Sequence, residues 1–404
     1  MKKLLYLVHR LPYPPNKGDK ICSNNMLNYF SANWRVYLGT FIDDPDDWQY
    51  VDHVRAKCED TCIVNLPRYK RVTGSIAGFL TNGPLSLSFY ASRELQRWVR
   101  ATIERERPDA VLIYSGVMGR FVRGLVPDGV PVVFDAEDVD SEKWRGYAQA
   151  KKWPMSWLYR READLMLAYE RAMAASTDFT IFISPDEAAL FRTLAPESAA
   201  KTHSRTQGVD STFFDPALAY DNPYEPGQKV LVFTGAMDYW PNIEAVTWFC
   251  EQVLETVRAQ VPDFLFCIVG MKPTVSVIRL GKLPGVRVTG GVPDVRPYLA
   301  HAHAACLPLQ LARGIQNKAL EAMAMALPVL ATEDALLGII DYPGSMSIIA
   351  RDADEMARAA VELLSSERQT NAAGRECVMQ HYDWDTNLKR MERFLLPEKT
   401  ETAL

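Results

Sequence analysis

Long apolar runs, an excess of one charge and a cysteine framework are all missing from this chain of 404 residues. Nowhere do ~18 uninterrupted apolar residues follow one another, so no membrane-spanning helix is expected. Lys and Arg number 45 against 50 Asp and Glu, a net charge of −5, which argues against a dedicated nucleic-acid binder with its usual basic excess. Seven cysteines, an odd number scattered along a long chain, make no disulfide framework and fit a reducing compartment. Cys58 and Cys62 are spaced like half of a zinc site, but no second half exists. His301 and His303 precede an apolar strand without further partners and read as a helix end, so no metal is expected. There is no short-period repeat and no low-complexity tract.

What is present is ordinary globular material, 48% hydrophobic and 10% aromatic, enough for two domains that each bury a core. The opening MKKLLYLVHRLPYPP starts like a signal peptide, but the run Leu4–Val8 is too short for an h-region and no small-residue cleavage site follows. It reads as a buried first strand, and the expected location is the cytoplasm or the inner face of a membrane.

Up to about residue 205, short β-rich runs alternate with helical stretches. Strands are expected at Leu4–Val8, Val36–Thr40, Cys62–Leu66, Ala110–Tyr114, Val130–Phe134 and Phe179–Ser184, with helices such as Ile21–Asn33 and Leu95–Arg105 between them. Continuous apolar strands of this kind belong to a parallel sheet covered on both faces. The turn-rich Asp221–Gly227 reads as an interdomain linker, and the alternation then restarts. Strands follow at Val230–Thr234, Phe264–Val269, Val286–Thr289, Ala304–Pro308, Val329–Ala331 and Met346–Ile349. Apolar Ile243, Val246, Cys250, Val253, Leu254 and Val257 predict one amphipathic helix from Trp240. Two successive α/β units, covering 1–205 and 206–382, make a two-domain enzyme with its ligand beyond the carboxyl ends of the strands.

The most informative stretch is residues 304–332. A strand ends at Pro308-Leu309, a polar loop carries Arg313-Gly314, and a helix starts near Ile315 or Gln316. A glycine and free backbone N–H groups at a helix N-terminus can hold a phosphate. Arg313 and Lys318 flank that point and can neutralise a diphosphate. Asn317 and Glu321 lie four apart and Lys318 and Glu321 three apart, so all three share one helix face. A carboxylate one turn inside such a site can accept two hydrogen bonds from a ribose diol, although the same pattern also describes a solvated Lys/Glu pair.

The order and intervals of several motifs resemble the family-4 glycosyltransferases, retaining sugar-nucleotide-dependent enzymes of the GT-B fold. They are Gln207-Gly-Val-Asp210 with Phe214 and Pro216, Val230–Gly235, Trp240-Pro-Asn242, Phe266–Gly270, Val288-Thr-Gly290, and Lys318-Ala-Leu-Glu321 through Ala324 to Pro328-Val329. In finer detail, Leu11–Pro15, Lys17-Gly-Asp-Lys20, Phe134–Ser141 and Arg313–Lys318 resemble the sugar transferases of exosortase (PEP-CTERM) exopolysaccharide systems. The resemblance implies two doubly wound Rossmann-like domains facing across a cleft, with the closing helix near 383–397 packing back on the first. It also implies a nucleotide-diphosphate sugar as co-substrate, with no cofactor beyond it and no metal, and a glycan or lipid-linked acceptor in exopolysaccharide biosynthesis.

Carried over by residue, Glu321 matches the second of the family's paired glutamates, the one with a ribose-binding role. The first falls at 313, where this chain has Arg313. After Gly235, where relatives carry Arg and Lys, the chain reads Ala236-Met-Asp-Tyr-Trp-Pro-Asn242, so Lys318, with Arg313, takes over the phosphate charge. The implied donor residues are Gly18, Gly235, Asn242, Gly270, Gly290, Arg313, Gly314, Asn317, Lys318 and Glu321. Gly18 enters through the loop Lys17-Gly-Asp19, which resembles the family's glycine loop.

At the end of the strand closing on Phe134, Asp135, Glu137 and Asp138 crowd together where relatives have a histidine near the acceptor. Any of the three can orient or deprotonate an acceptor hydroxyl; Glu137 and Asp138 are the chosen candidates, beside Lys318, as catalytic groups. The plainer alternative is that Asp138 or Asp140 caps the following helix. His9, directly after the first strand, is a further candidate lining residue. Two basic-aromatic stretches, 68–107 and 143–171, are expected to meet anionic lipid or a lipid-diphosphate acceptor. A sugar-nucleotide 2-epimerase and a non-catalytic nucleotide-sugar-binding protein are the alternatives to a transferase.

Overall fold

The computed structural model describes residues 1–15, 17–67, 83–206, 208–312, 315–340 and 344–396. The chain forms two compact units, residues 1–206 with 385–404, and residues 207–384.

In the first unit seven parallel strands stand in the order β3-β2-β1-β4-β5-β6-β7. They are β1 Lys2–Val8, β2 Trp34–Ile42, β3 Asp60–Asn65, β4 Ala110–Tyr114, β5 Val132–Glu137, β6 Phe179–Phe182 and β7 Thr202–Ser204. Residues Leu4 to Val8 of β1 are fully buried, as the uninterrupted apolar run requires of a central strand with helices on both faces. Helices Gly18–Asn33 and Arg93–Glu106 fill two of the crossovers. The closing helix Trp384–Leu395 contributes Glu392, which accepts hydrogen bonds from Tyr29 Oη at 2.9 Å and Trp34 Nε1 at 2.7 Å.

The second unit repeats the plan with six strands in the order β10-β9-β8-β11-β12-β13. These are β8 Lys229–Thr234, β9 Phe264–Val269, β10 Val286–Gly290, β11 Ala304–Leu307, β12 Val329–Ala331 and β13 Ser347–Ile349. Counted from each unit's own first strand, both sheets run 3-2-1-4-5-6, with a seventh strand added at the end of the first, the doubly wound order whose ligand crevice opens where the winding reverses. That reversal lies between β1 and β4 in the first unit and between β8 and β11 in the second.

Several sequence expectations are corrected. Asp221–Gly227 is no interdomain linker; it lies inside the second unit, just ahead of β8. The helix from Trp240 is two helices, Trp240–Gln252 and Leu254–Gln260, broken at Val253, whose φ of −118° lies outside helical values. Both pieces keep the apolar face that the periodicity predicted. Strand β7 escaped notice because its three residues, Thr-His-Ser, carry no apolar pattern. Neither Asp138 nor Asp140 caps the helix Asp140–Ala150, which has no side-chain cap of its own; Glu170 serves instead, accepting from Ser141 N at 3.1 Å and Ser141 Oγ at 2.6 Å. Among the described residues no helix is long and apolar enough to cross a membrane.

Candidate active site

In the second unit the carboxyl ends of β8, β9 and β10 each run into a glycine. Gly235 N donates to Val269 O at 3.0 Å and Gly270 N to Gly290 O at 3.1 Å, so the three turns are laced together through the backbone. Gly270 leaves no room for a side chain, since a Cβ there would lie 1.6 Å from the Gly235 carbonyl oxygen. Gly290 takes a φ of +72°, the left-handed region that favours glycine. A Cβ on Gly235 would lie 2.7 Å from Asn242 Nδ2 and 3.4 Å from Lys318 Nζ, so its absence lets both side chains approach the backbone.

The helix Asn317–Ala324 follows β11 and brings Lys318 to this point. Lys318 Nζ donates to Asn242 Oδ1 at 2.5 Å and stands 4.6 Å from the centre of the Phe233 ring, a cation–π contact. Asn242 is itself aimed by a 2.9 Å bond from its Nδ2 to Ala236 O. Burial pushes the Lys318 ammonium down to about 8, with the neighbouring Glu321 charge working the other way. Burial likewise pushes the Glu321 carboxyl up to about 7, against the pull of Lys318. Asn317 Oδ1 is buried without a hydrogen-bond partner. The first N–H groups of any helix lack intrahelical acceptors, so a cation, an amide and backbone donors gather at one helix N-terminus. Such a gathering can hold a dianionic group, with Glu321 one turn inside.

Of the residues the sequence picked out, Gly235, Gly270 and Gly290 lie in these carboxyl-end turns, Asn242 in the first turn of helix Trp240–Gln252, and Asn317, Lys318 and Glu321 on the helix Asn317–Ala324. Gly18 belongs to the first unit, where it opens the helix Gly18–Asn33 with open space where a Cβ would stand. Arg313 and Gly314, like Gln207 and residues 68–82, lie outside the described residues. A groove of about 880 Å³ on the second unit is lined by Phe264, Arg287 and Gly290 among others, and includes neither Lys318 nor Gly235.

The first unit has its own polar centre, at the carboxyl ends of β1, β4, β5 and β7. Asp19 accepts from His9 Nε2 at 3.1 Å and Arg10 Nη1 at 2.7 Å. Burial works to raise its carboxyl, yet His9 and Arg10 together hold it well below the usual range. The acidic cluster after β5 splits three ways. Asp135, fully buried, pairs with Arg205 Nε at 2.6 Å, and Asp138 pairs with Lys143 at 2.7 Å. Glu137 takes a φ of +66°, unusual for a side-chain-bearing residue, and bonds the Tyr114 hydroxyl. Burial drives its carboxyl up to about 8, with Arg205 opposing. Tyr114 Oη also lies 3.1 Å from the Asp19 carbonyl oxygen. One phenol proton cannot serve two acceptors; with Glu137 protonated, Glu137 donates to Tyr114 and Tyr114 to Asp19, and every group is paired. Sequence reasoning missed Tyr114, Arg10 and Arg205. For Tyr114 and Arg10 the signal was a polar residue standing at or just past the end of an apolar strand; Arg205, after the polar β7, gave none.

Glu137 makes stability depend on pH. Its folded value, about 8, lies above its ordinary 4.5, so its contribution is full below about 4.5 and is lost as pH rises through 8. Glu137→Gln, which mimics the protonated carboxyl, is expected to melt with the wild type at pH 4. At pH 9 it is expected to melt about 10–20 °C higher. Equal melting curves at pH 9 would remove the buried neutral carboxyl from the description.

Two parallel doubly wound units with this strand order define the GT-B fold. Residues 228–366 match the family described as Glycosyl transferases group 1, and the residues gathered above in the second unit lie within that stretch. The whole chain is similar in structure to the sucrose-phosphate synthase of Thermosynechococcus elongatus, with a TM-score of 0.67, 18% identity, and coverage of 97% of this chain and 98% of that one. It is also similar to HepE of Anabaena in complex with UDP-glucose, with a TM-score of 0.65, 13% identity, and coverage of 98% and 100%. TarM of S. aureus follows with a TM-score of 0.63, 11% identity, and coverage of 98% and 100%. No curated protein sequence matches the chain significantly.

Proposed function

We propose that this protein transfers a glycosyl unit from a nucleotide-diphosphate sugar to an acceptor hydroxyl, with retention of configuration, on a lipid-linked glycan in exopolysaccharide assembly. One observation carries the reading: Lys318, held by Asn242 and the Phe233 ring at a helix N-terminus, stands beside the Gly235 turn at the winding reversal of the second sheet. The glycosyl transferases group 1 match to residues 228–366 supports it, as does the similarity to HepE, which was crystallised with UDP-glucose.

Mechanistically, the bond from the anomeric carbon to the diphosphate breaks as the acceptor oxygen approaches from the same side. The leaving diphosphate gathers charge, and Lys318 with the helix-terminal N–H groups meets that charge in fixed positions. A divalent metal has no assigned role, and activity is expected to survive a chelator. Glu321 is placed to accept from the ribose hydroxyls. Glu137 or Asp138 orients the acceptor hydroxyl or takes its proton. At neutral pH Glu137, pushed up to about 8, is the weaker candidate as a base and the better one as a hydrogen-bond donor.

A non-catalytic sugar-nucleotide binder stays in view because Arg313 replaces a family glutamate and Ala236-Met237-Asp238 replaces a basic loop. A thermal-shift screen with UDP, GDP, ADP and TDP, with and without magnesium, tests the site. Binding to the native state raises apparent stability by RT ln(1 + [L]/Kd), so one nucleotide should raise the melting temperature equally with and without the metal. No shift with any of the four would count against the donor site.

A further inference from the structure

We propose that the turn joining the helices Asp140–Ala150 and Met155–Ser176 is a docking site for an anionic lipid surface. Residues 143–161 contain Lys143, Arg145, Lys151, Lys152, Arg160 and Arg161 and no acidic residue, in a chain of net charge −5. Lys143 is engaged by Asp138 and Asp140, and Arg145 by Glu142 and Asp164. Lys151, Lys152 and Arg160 are exposed. Among them stand Trp153, 81% exposed, Met155, 40%, and Trp157, 50%, with Tyr147, 54%, on the neighbouring helix.

Nothing in the fold requires an indole at 153. The two helices are already joined by Trp144 against Tyr159, with ring centres 5.5 Å apart, and by Glu170 on Ser141. A tryptophan between a lysine pair and a methionine matches a membrane interface, where the indole settles at headgroup depth and the amines meet lipid phosphates. Lipid fits better than nucleic acid, because Pro154 and Met155 offer nothing to a base and present an apolar surface to acyl chains. The other stretch expected at a membrane, 68–107, gives no such surface where it is described. Tyr90 is buried, and Phe89 and Trp98 pack against the first unit's core. The proposal concerns the first unit alone and does not depend on the transfer chemistry.

The test is flotation of the full chain with phosphatidylcholine vesicles, either pure or containing about a third phosphatidylglycerol, at low and high salt. Flotation is expected with the anionic vesicles only, weakening with salt. Each cation near such a surface is worth about fivefold in partition, so Lys151→Glu with Lys152→Glu should lower it by at least about tenfold. Trp153→Ser should lower it several-fold, while Trp48→Ser, 45% exposed on the turn of helix Pro45–Tyr50, should not. All three variants alter exposed side chains and should melt with the wild type. Equal flotation on neutral vesicles, no flotation on either, or insensitivity to the lysine substitutions would overturn the proposal. So would single-stranded RNA displacing the vesicles with the same loss in Lys151→Glu/Lys152→Glu and none in Trp153→Ser.

Discussion

Lys318→Met should weaken nucleoside diphosphate binding by about 30- to 150-fold while leaving the fold intact. A charge-assisted hydrogen bond to phosphate is worth about 2–3 kcal/mol, and methionine keeps the length of the stem and its contact with the Phe233 ring. Lys318→Arg should not restore binding, because a planar guanidinium cannot take the compact position between Asn242 Oδ1 and that ring. The pH dependence gives an independent reading. With its ammonium pushed down to about 8, Lys318 is charged below that pH and progressively neutral above it. A bound diphosphate favours the charged form, so wild-type affinity should fall about tenfold per unit above pH 8, and the methionine variant should lack that slope. Calorimetric titration from pH 6 to 10 checks both. A methionine variant that binds as the wild type does would place the diphosphate elsewhere.

Gly270→Ala is the second large effect. A methyl group 1.6 Å from the Gly235 carbonyl oxygen meets backbone, not a side chain that can swing aside. The turns after β8 and β9 must separate, breaking the bonds Gly235 N to Val269 O and Gly270 N to Gly290 O. A loss of at least about 3 kcal/mol is expected, or a fall of about 6–12 °C for the second unit. If the turns yield locally, nucleotide binding is lost in its place, because Asn242 and Lys318 are placed against Gly235. Gly18→Ala is the control, with open space at its Cβ and a helical position that alanine favours. Wild-type melting together with wild-type binding in Gly270→Ala would contradict the packing described here.

The two α/β units were legible because buried parallel strands spell themselves out as apolar runs. Leu4–Val8 and Phe264–Val269 need no partner to be recognised. The second unit's site was legible for a related reason, since glycines at strand ends and a polar helix start lie close to one another in sequence. Lys318 and Glu321 share a helix face by spacing alone. The first unit's polar centre was only partly legible. Asp135, Glu137 and Asp138 read as one acidic cluster, yet their roles are fixed by Arg205, Tyr114 and Lys143, two of which lie far off in the chain. The helix break at Val253 was hidden because both pieces keep the same apolar phase across it.

The central claim is sugar transfer at the Lys318 site, and product analysis tests it most directly. The protein would be incubated with UDP-, GDP-, ADP- and TDP-glucose, with and without a panel of alkyl glycoside acceptors, and every species weighed by mass spectrometry. The account predicts one donor consumed only when acceptor is present, yielding nucleoside diphosphate and an acceptor heavier by one glycosyl unit. An epimerised nucleotide sugar formed without acceptor, or a donor that binds and is never cleaved, would contradict it.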